Sequence, residues 1–113
     1  MDTIQGIDRL RVFAPKNKFL VSFRSDGGME YFARFEPKKL KGYEGNLLIT
    51  IWNHGAHSEV MRIFDLKRRK VVFEETSAWP FKWREAKSRL YIESTATADD
   101  TGLYKSSVVR WPK

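Results

Sequence analysis

The sequence predicts an all-β fold: one domain over residues 1–113, a single antiparallel meander of about seven to nine short strands, closed as a sandwich, a barrel or a curved blade-like sheet. Three observations predict it. Apolar and polar side chains alternate with period 2 along most of the chain, which is the repeat of a strand with one buried face. Polar or glycine-bearing turns interrupt the alternation roughly every 10–14 residues. No stretch carries its apolar residues at helical spacing.

The elements follow in order. Residues 8–13 (Asp-Arg-Leu-Arg-Val-Phe) alternate and stop at Ala14-Pro15. Residues 18–24 place Phe19, Val21 and Phe23 opposite Lys18, Ser22 and Arg24. Residues 29–35 place Met29, Tyr31, Ala33 and Phe35 opposite Glu30, Phe32 and Arg34. Ser25-Asp26-Gly27-Gly28 lies between these two runs, and its glycines supply the positive φ of a tight hairpin turn. Residues 36–45 hold Pro37, Gly42 and Gly45 among lysines and predict a loop. Residues 47–52 (Leu-Leu-Ile-Thr-Ile-Trp) are apolar on both faces, the pattern of a central strand covered on each side.

After a connection at 53–58, residues 59–66 and 70–75 predict a second hairpin with Lys67-Arg68-Arg69 at its tip. Trp79 to Trp83 contains Pro80 and predicts a short edge strand, since proline cannot donate to a ladder. Residues 89–95 turn Leu90 and Ile92 inward and Arg89, Tyr91 and Glu93 outward. Asp99-Asp100-Thr101-Gly102 is a turn, and 103–111 is the last strand.

Composition narrows the function. The chain carries 21 Lys and Arg against 14 Asp and Glu, a net charge of +7. Residues 62–89 hold the densest surplus, nine basic against four acidic side chains. Such a balance favours solubility and acidic partners, whether nucleic acid, membrane surface or acidic protein. Cysteine is absent, which excludes disulfides, thiolate metal sites and cysteine nucleophiles. No apolar run reaches the roughly 18 residues of a membrane span. Residues 2–5 (Asp-Thr-Ile-Gln) show neither the basic nor the apolar region of a signal peptide. A native start at Met1 implies the cytoplasm; a removed leader implies a periplasmic or secreted protein.

Catalytic constellations are sparse. His54 and His57 are the only histidines, and with Glu59 they form the single metal-ligand pattern, His-x-x-His plus a carboxylate. That pattern is the basis of a third functional reading, metal-dependent or hydrolytic activity. It sits in a connection, where no helical repeat fixes the geometry. Glu74 and Glu75 are adjacent in a strand and point to opposite faces. Gly-x-Ser-x-Gly and phosphate-cradling glycine loops are absent. Neither a catalytic residue nor a cofactor is therefore expected.

Residues 61–73, Met-Arg-Ile-Phe-Asp-Leu-Lys-Arg-Arg-Lys-Val-Val-Phe, and 79–92, beginning Trp-Pro-Phe-Lys-Trp, read as strand, polar turn, strand. Over residues 47–95 this pattern resembles the blades of TolB-like β-propellers. At 113 residues the chain is too short for a complete propeller, which needs at least about four blades. The resemblance implies a module that binds proteins and is seldom catalytic by itself.

The expected function is therefore a non-enzymatic protein-binding module, of the inhibitor or immunity-protein type, for an acidic protein partner. Its expected contacts are Arg62, Lys67, Arg68, Arg69, Trp79, Trp83 and Arg84, because tryptophan and arginine lead interface hot spots. The alternative is nucleic-acid binding through the same basic and aromatic side chains, with Trp79, Phe81 and Trp83 stacking bases.

Overall fold

The computed structural model describes the backbone of residues 9–14, 18–24, 30–54, 58–98 and 103–112, and the side chains of 32–53, 58–96 and 104–112. Nine strands follow one another: β1 (Arg9–Ala14), β2 (Lys18–Arg24), β3 (Glu30–Lys38), β4 (Leu47–His54), β5 (Glu59–Asp65), β6 (Lys70–Ser77), β7 (Lys82–Ala86), β8 (Arg89–Ala98) and β9 (Leu103–Trp111). Every paired strand is antiparallel to its neighbour, and the described residues contain no helix. The strands form a β1-β2 pair, a β3-β4-β5-β6 sheet and a β7-β8-β9 sheet, each an up-and-down meander.

β4 lies inside the four-stranded sheet, and its two apolar faces are both used. Leu47, Ile49 and Ile51 join Met61 and Ile63 of β5 on one face. There they meet Phe81, Leu90 and Ile92 from the β7-β8-β9 side, so the two sheets pack face to face. Leu48 and Trp52 point the other way and cluster with Val60 and Phe64, all buried. Each such buried side chain contributes about 1.5–3 kcal/mol by leaving water. Thr50 shares that second face and is fully buried. Its hydroxyl donates to the Arg62 carbonyl at 2.7 Å and accepts from Trp52 Nε1 at 2.9 Å, so no polar atom is orphaned there.

Several boundaries depart from the sequence reading. The hairpin predicted between 18–24 and 29–35 does not form, because β2 pairs with β1 and β3 pairs with β4. The turn placed at 25–28, the facing of Phe19, Val21 and Phe23, and the turn at 99–102 lie outside the described residues.

β3 continues through Pro37 to Lys38, where a loop was expected. It is the outer strand of its sheet, and a proline is tolerated there. A bulge between Phe32 and Arg34 breaks its alternation. Phe32 and Phe35 consequently share a face, with ring centroids 6.1 Å apart, instead of opposing one another. β7 begins at Lys82, so only Trp83 of the expected 79–83 edge strand is paired alongside it. The inward set of β8 is as read: Leu90 and Ile92 are fully buried, and Glu93 is exposed.

Candidate binding surface

Four separate segments meet at one end of the sandwich: the loop 39–46, the β5-β6 turn at 66–69, the β7-β8 turn at 87–88, and Pro112 after β9. Asp65 organises the first two. Its side chain is fully buried and accepts from Tyr43 Oη at 2.5 Å, from the Arg68 backbone N–H at 2.9 Å and from Arg68 Nη1 at 2.6 Å. Burial by itself raises a carboxyl. The hydrogen bonds from Tyr43 and Arg68 outweigh it and hold Asp65 below the usual carboxylate range. The same contact, together with burial, raises the Tyr43 hydroxyl above its ordinary value. Lys39 Nζ donates to the carbonyls of Tyr43 and Gly45 and fixes the loop from within. Lys67 pairs with Glu44 across the two segments.

The remaining cations at this end are uncompensated. Lys41, Arg69, Lys70 and Lys87 are exposed, and their side chains make no ion pair or hydrogen bond among the described residues. An open cavity of about 500 Å³ lies beside Lys41 and Lys87, lined by Lys41, Gly42, Tyr43, Lys87, Ser88, Arg89 and Pro112, with three cations and no carboxylate among the described residues. Lys87 and Ser88 adopt left-handed φ of 52° and 63° at the hairpin turn, a conformation that asparagine and glycine usually supply. Arg89 Nη1 donates to the Ser88 carbonyl at 3.2 Å and braces that turn.

The basic surface continues onto the outer face of β7-β8-β9. Cross-strand register sets Arg84, Tyr91 and Arg110 in one row and Lys82, Glu93 and Val108 in the next. The Arg84 guanidinium lies over the Tyr91 ring at 4.6 Å. Trp79 and Tyr104, both about half exposed, pack on each other with centroids 5.3 Å apart.

The expected contact residues divide accordingly. Lys67, Arg68 and Arg69 belong to the basic end, but Lys67 and Arg68 are already paired with Glu44 and Asp65. Arg84 belongs to the outer face. Trp79 follows Ser77, the far end of β6, about 25 Å of strand away from the basic turn. Arg62 and Trp83 are committed inside. Arg62 is 8% exposed, bonds Glu74 at 2.6 Å and lies over the Trp52 ring at 5.3 Å. Trp83 is half-buried between the sheets; it donates to Glu36 at 3.3 Å and carries Arg34 over its ring. Phe81 is core. The three aromatics of 79–83 therefore do not form one open platform.

Glu59 accepts from the Phe81 N–H at 3.0 Å and pairs with Arg34 at 3.6 Å, so its carboxylate is engaged. His54 closes β4 opposite Glu30, and His57 lies outside the described residues. Among the described residues no three His, Cys, Asp or Glu side chains are grouped to hold a metal ion. No helix there is long and apolar enough to cross a membrane.

Sequence reasoning placed the charge in 62–89 but missed Lys41 and Arg110. Their partners in the surface come from the loop 39–46 and from β9, which only the pairing of distant strands brings alongside. Comparison with family models, curated proteins and solved structures gave no match.

Proposed function

We propose that this protein is a non-enzymatic binding module, of the inhibitor or immunity type, that engages an acidic protein through its basic end and the adjoining outer face of β7-β8-β9. One observation carries this reading. Lys41, Lys87 and Arg89 line one open cavity with no carboxylate among its described lining residues, and Arg69 and Lys70 stand exposed at the same end of the sandwich. Uncompensated surface cations steer an acidic partner and accelerate encounter. The resemblance of residues 47–95 to propeller blades points to the same class of function.

Nucleic-acid binding through the same surface is the second reading, and the Arg84-Tyr91-Arg110 row favours it. The occupied rings weigh against it. Arg84 covers Tyr91, and Trp79 and Tyr104 cover each other, whereas base stacking needs free ring faces.

The test is affinity capture from the protein's own cell extract, with and without nuclease, beside the triple variant Lys41→Glu, Arg69→Glu, Lys87→Glu. The expected result is a nuclease-resistant acidic protein, at stoichiometric level, that the variant loses. Retention that nuclease abolishes favours the second reading. Equal capture by both proteins removes the basic end from either.

A further inference from the structure

Four strands form the edges of the two packed sheets: β3, β6, β7 and β9. Three of them carry a backbone device against the addition of a further strand. β3 has Pro37 and a bulge. β6 has a bulge at Val72, since register pairs Ile63 with Phe73 and Phe64 with Val71. β7 is only five residues long. β9 has none of these. It runs nine residues, Leu103–Trp111, contains no proline and keeps unbroken register with β8. Tyr104 to Val108 are exposed without interruption. Alternate residues of an edge strand turn N–H and C=O away from the neighbouring strand, so β9 presents a straight row of donors and acceptors to solvent.

The side chains along this edge state what it accepts. Three of the four large apolar side chains left exposed among the described residues gather here: Tyr104 and Val108 on β9, and Trp79 packed on Tyr104. Tyr104 and Val108 share a face of the sheet with Arg110, while Lys105 takes the other face. Both charges of the strand are positive. Glu93, the one carboxylate of β8, has Lys82 opposite it on β7. A second copy of β9 therefore brings only like charge to this edge, whereas an acidic strand meets its complement. The strand also leads to Pro112, which lines the cavity of the basic end.

We infer that β9 accepts an extended acidic segment of the partner protein as an additional antiparallel strand. Its backbone completes the outward hydrogen bonds, its apolar side chains lie over Tyr104 and Val108, and its carboxylates stand beside Lys105 and Arg110. In strand addition the backbone supplies affinity and alternate side chains supply the choice of partner. The inference rests on the reading of an acidic protein partner and specifies the form in which that partner is held.

The test is titration of the full chain with the peptide acetyl-Thr-Glu-Thr-Val-Thr-Thr-Glu-Val-Thr-amide, which opposes Trp111 back to Leu103 in antiparallel register. Amide hydrogen exchange is read from nitrogen–proton correlation spectra. In the free protein, alternate β9 amides exchange fast. Saturation with peptide is expected to protect them, with a Kd on the order of 0.1–1 mM for so short a ligand. The peptide carrying Lys in place of both Glu should bind about tenfold more weakly. Lys105→Glu with Arg110→Glu should reverse that preference, while protected β8 amides report an intact fold. The triple variant Lys41→Glu, Arg69→Glu, Lys87→Glu should keep the β9 protection, so this inference and the reading beneath it fail separately. Absence of saturable binding, equal binding of the two peptides, or shifts confined to 41–43 and 87–89 overturns the inference. Self-association of the free chain that protects the same amides overturns it as well.

Discussion

Tyr43 donates its hydroxyl hydrogen to Asp65 at 2.5 Å, joining a surface loop to the end of β5. The contact spans 22 residues of sequence and, with the Leu66 N–H to Asn46 carbonyl bond and the Lys67–Glu44 pair, ties the loop 39–46 to the β5-β6 turn. It also positions the Tyr43 ring between Arg68, at 5.7 Å, and Trp111, at 5.5 Å. The basic end is therefore anchored on one buried acid.

The first prediction concerns that acid. Asp65 is held below its ordinary value in the folded state. Its contribution to stability is thus present above the unfolded value of about 3.9 and lost as pH falls through the lower folded value. Asp65→Asn should destabilise the protein by about 2 kcal/mol at neutral pH. Chemical denaturation from pH 7 down to about 2 checks this. The difference between the two proteins should shrink at the acid end.

Gly45 and Gly42 should respond differently to alanine. Both have positive φ, 105° and 84°. A Cβ at Gly42 meets nothing within 4 Å, so Gly42→Ala costs only the backbone strain, about 1–2 kcal/mol. A Cβ at Gly45 lies 2.9 Å from Lys67 Cβ, an atom next to the backbone that cannot swing away. Gly45→Ala should be the worse substitution by at least about 1 kcal/mol, as overpacking adds to strain. Thermal melts of the two variants decide the order.

The β7-β8 turn should improve when given the residues its geometry favours. Lys87→Asn with Ser88→Gly relieves left-handed strain worth about 1–2 kcal/mol. Glycine's extra freedom in the unfolded chain takes back about 0.5–1 kcal/mol. The net gain, about 0.5–1 kcal/mol, corresponds to a melting temperature higher by about 3–5 °C. Removal of Lys87 should at the same time weaken binding to an acidic partner, so stability and affinity move in opposite directions.

Arg62 should behave as a structural residue. It is buried against Trp52 and paired with Glu74, which is about half exposed and is hydrated when the pair is lost, so Arg62→Ala acts mainly by opening a gap beside Trp52, at a cost of about 2 kcal/mol. Denaturant midpoints report that loss. Partner affinity, measured at a temperature where the variant remains folded, should be unchanged.

Much of this architecture was legible from residue patterns. The two-sided apolar run 47–52 marked the central strand, and strict alternation marked β8, because both depend only on local period. What escaped depended on choices between partners. Glycines at 27 and 28 signal a turn but not which strands it joins, so β2 was matched with β3 when it pairs with β1. The bulge at Ala33 is invisible to a period-2 reading, which assigned Phe32 and Phe35 to opposite faces. At the surface, arginine and tryptophan at 62 and 83 looked like contacts by type. Their burial follows from facing Trp52 and Glu36, residues 10 and 47 positions away. Lys41 and Arg110 gave no signal of their own.

Two of the four edge strands of the sandwich, β3 and β9, are guarded by different means. Along β3, Pro37 and the bulge at Ala33 interrupt the backbone, so a strand from another molecule finds no straight row of donors and acceptors. Along β9, a nine-residue strand that is exposed from Tyr104 through Val108, no proline intervenes and the register with β8 is unbroken. Lys105 and Arg110 are the only charges on that strand, and in two copies laid edge to edge they would repel. A barrier of covalent shape is indifferent to ionic strength, whereas one of like charge fades within a Debye length of about 3 Å at molar salt. Shelf life in concentrated solution is thus a function of the buffer, and aggregation on salting should begin along β9 while the β3 rim stays inert.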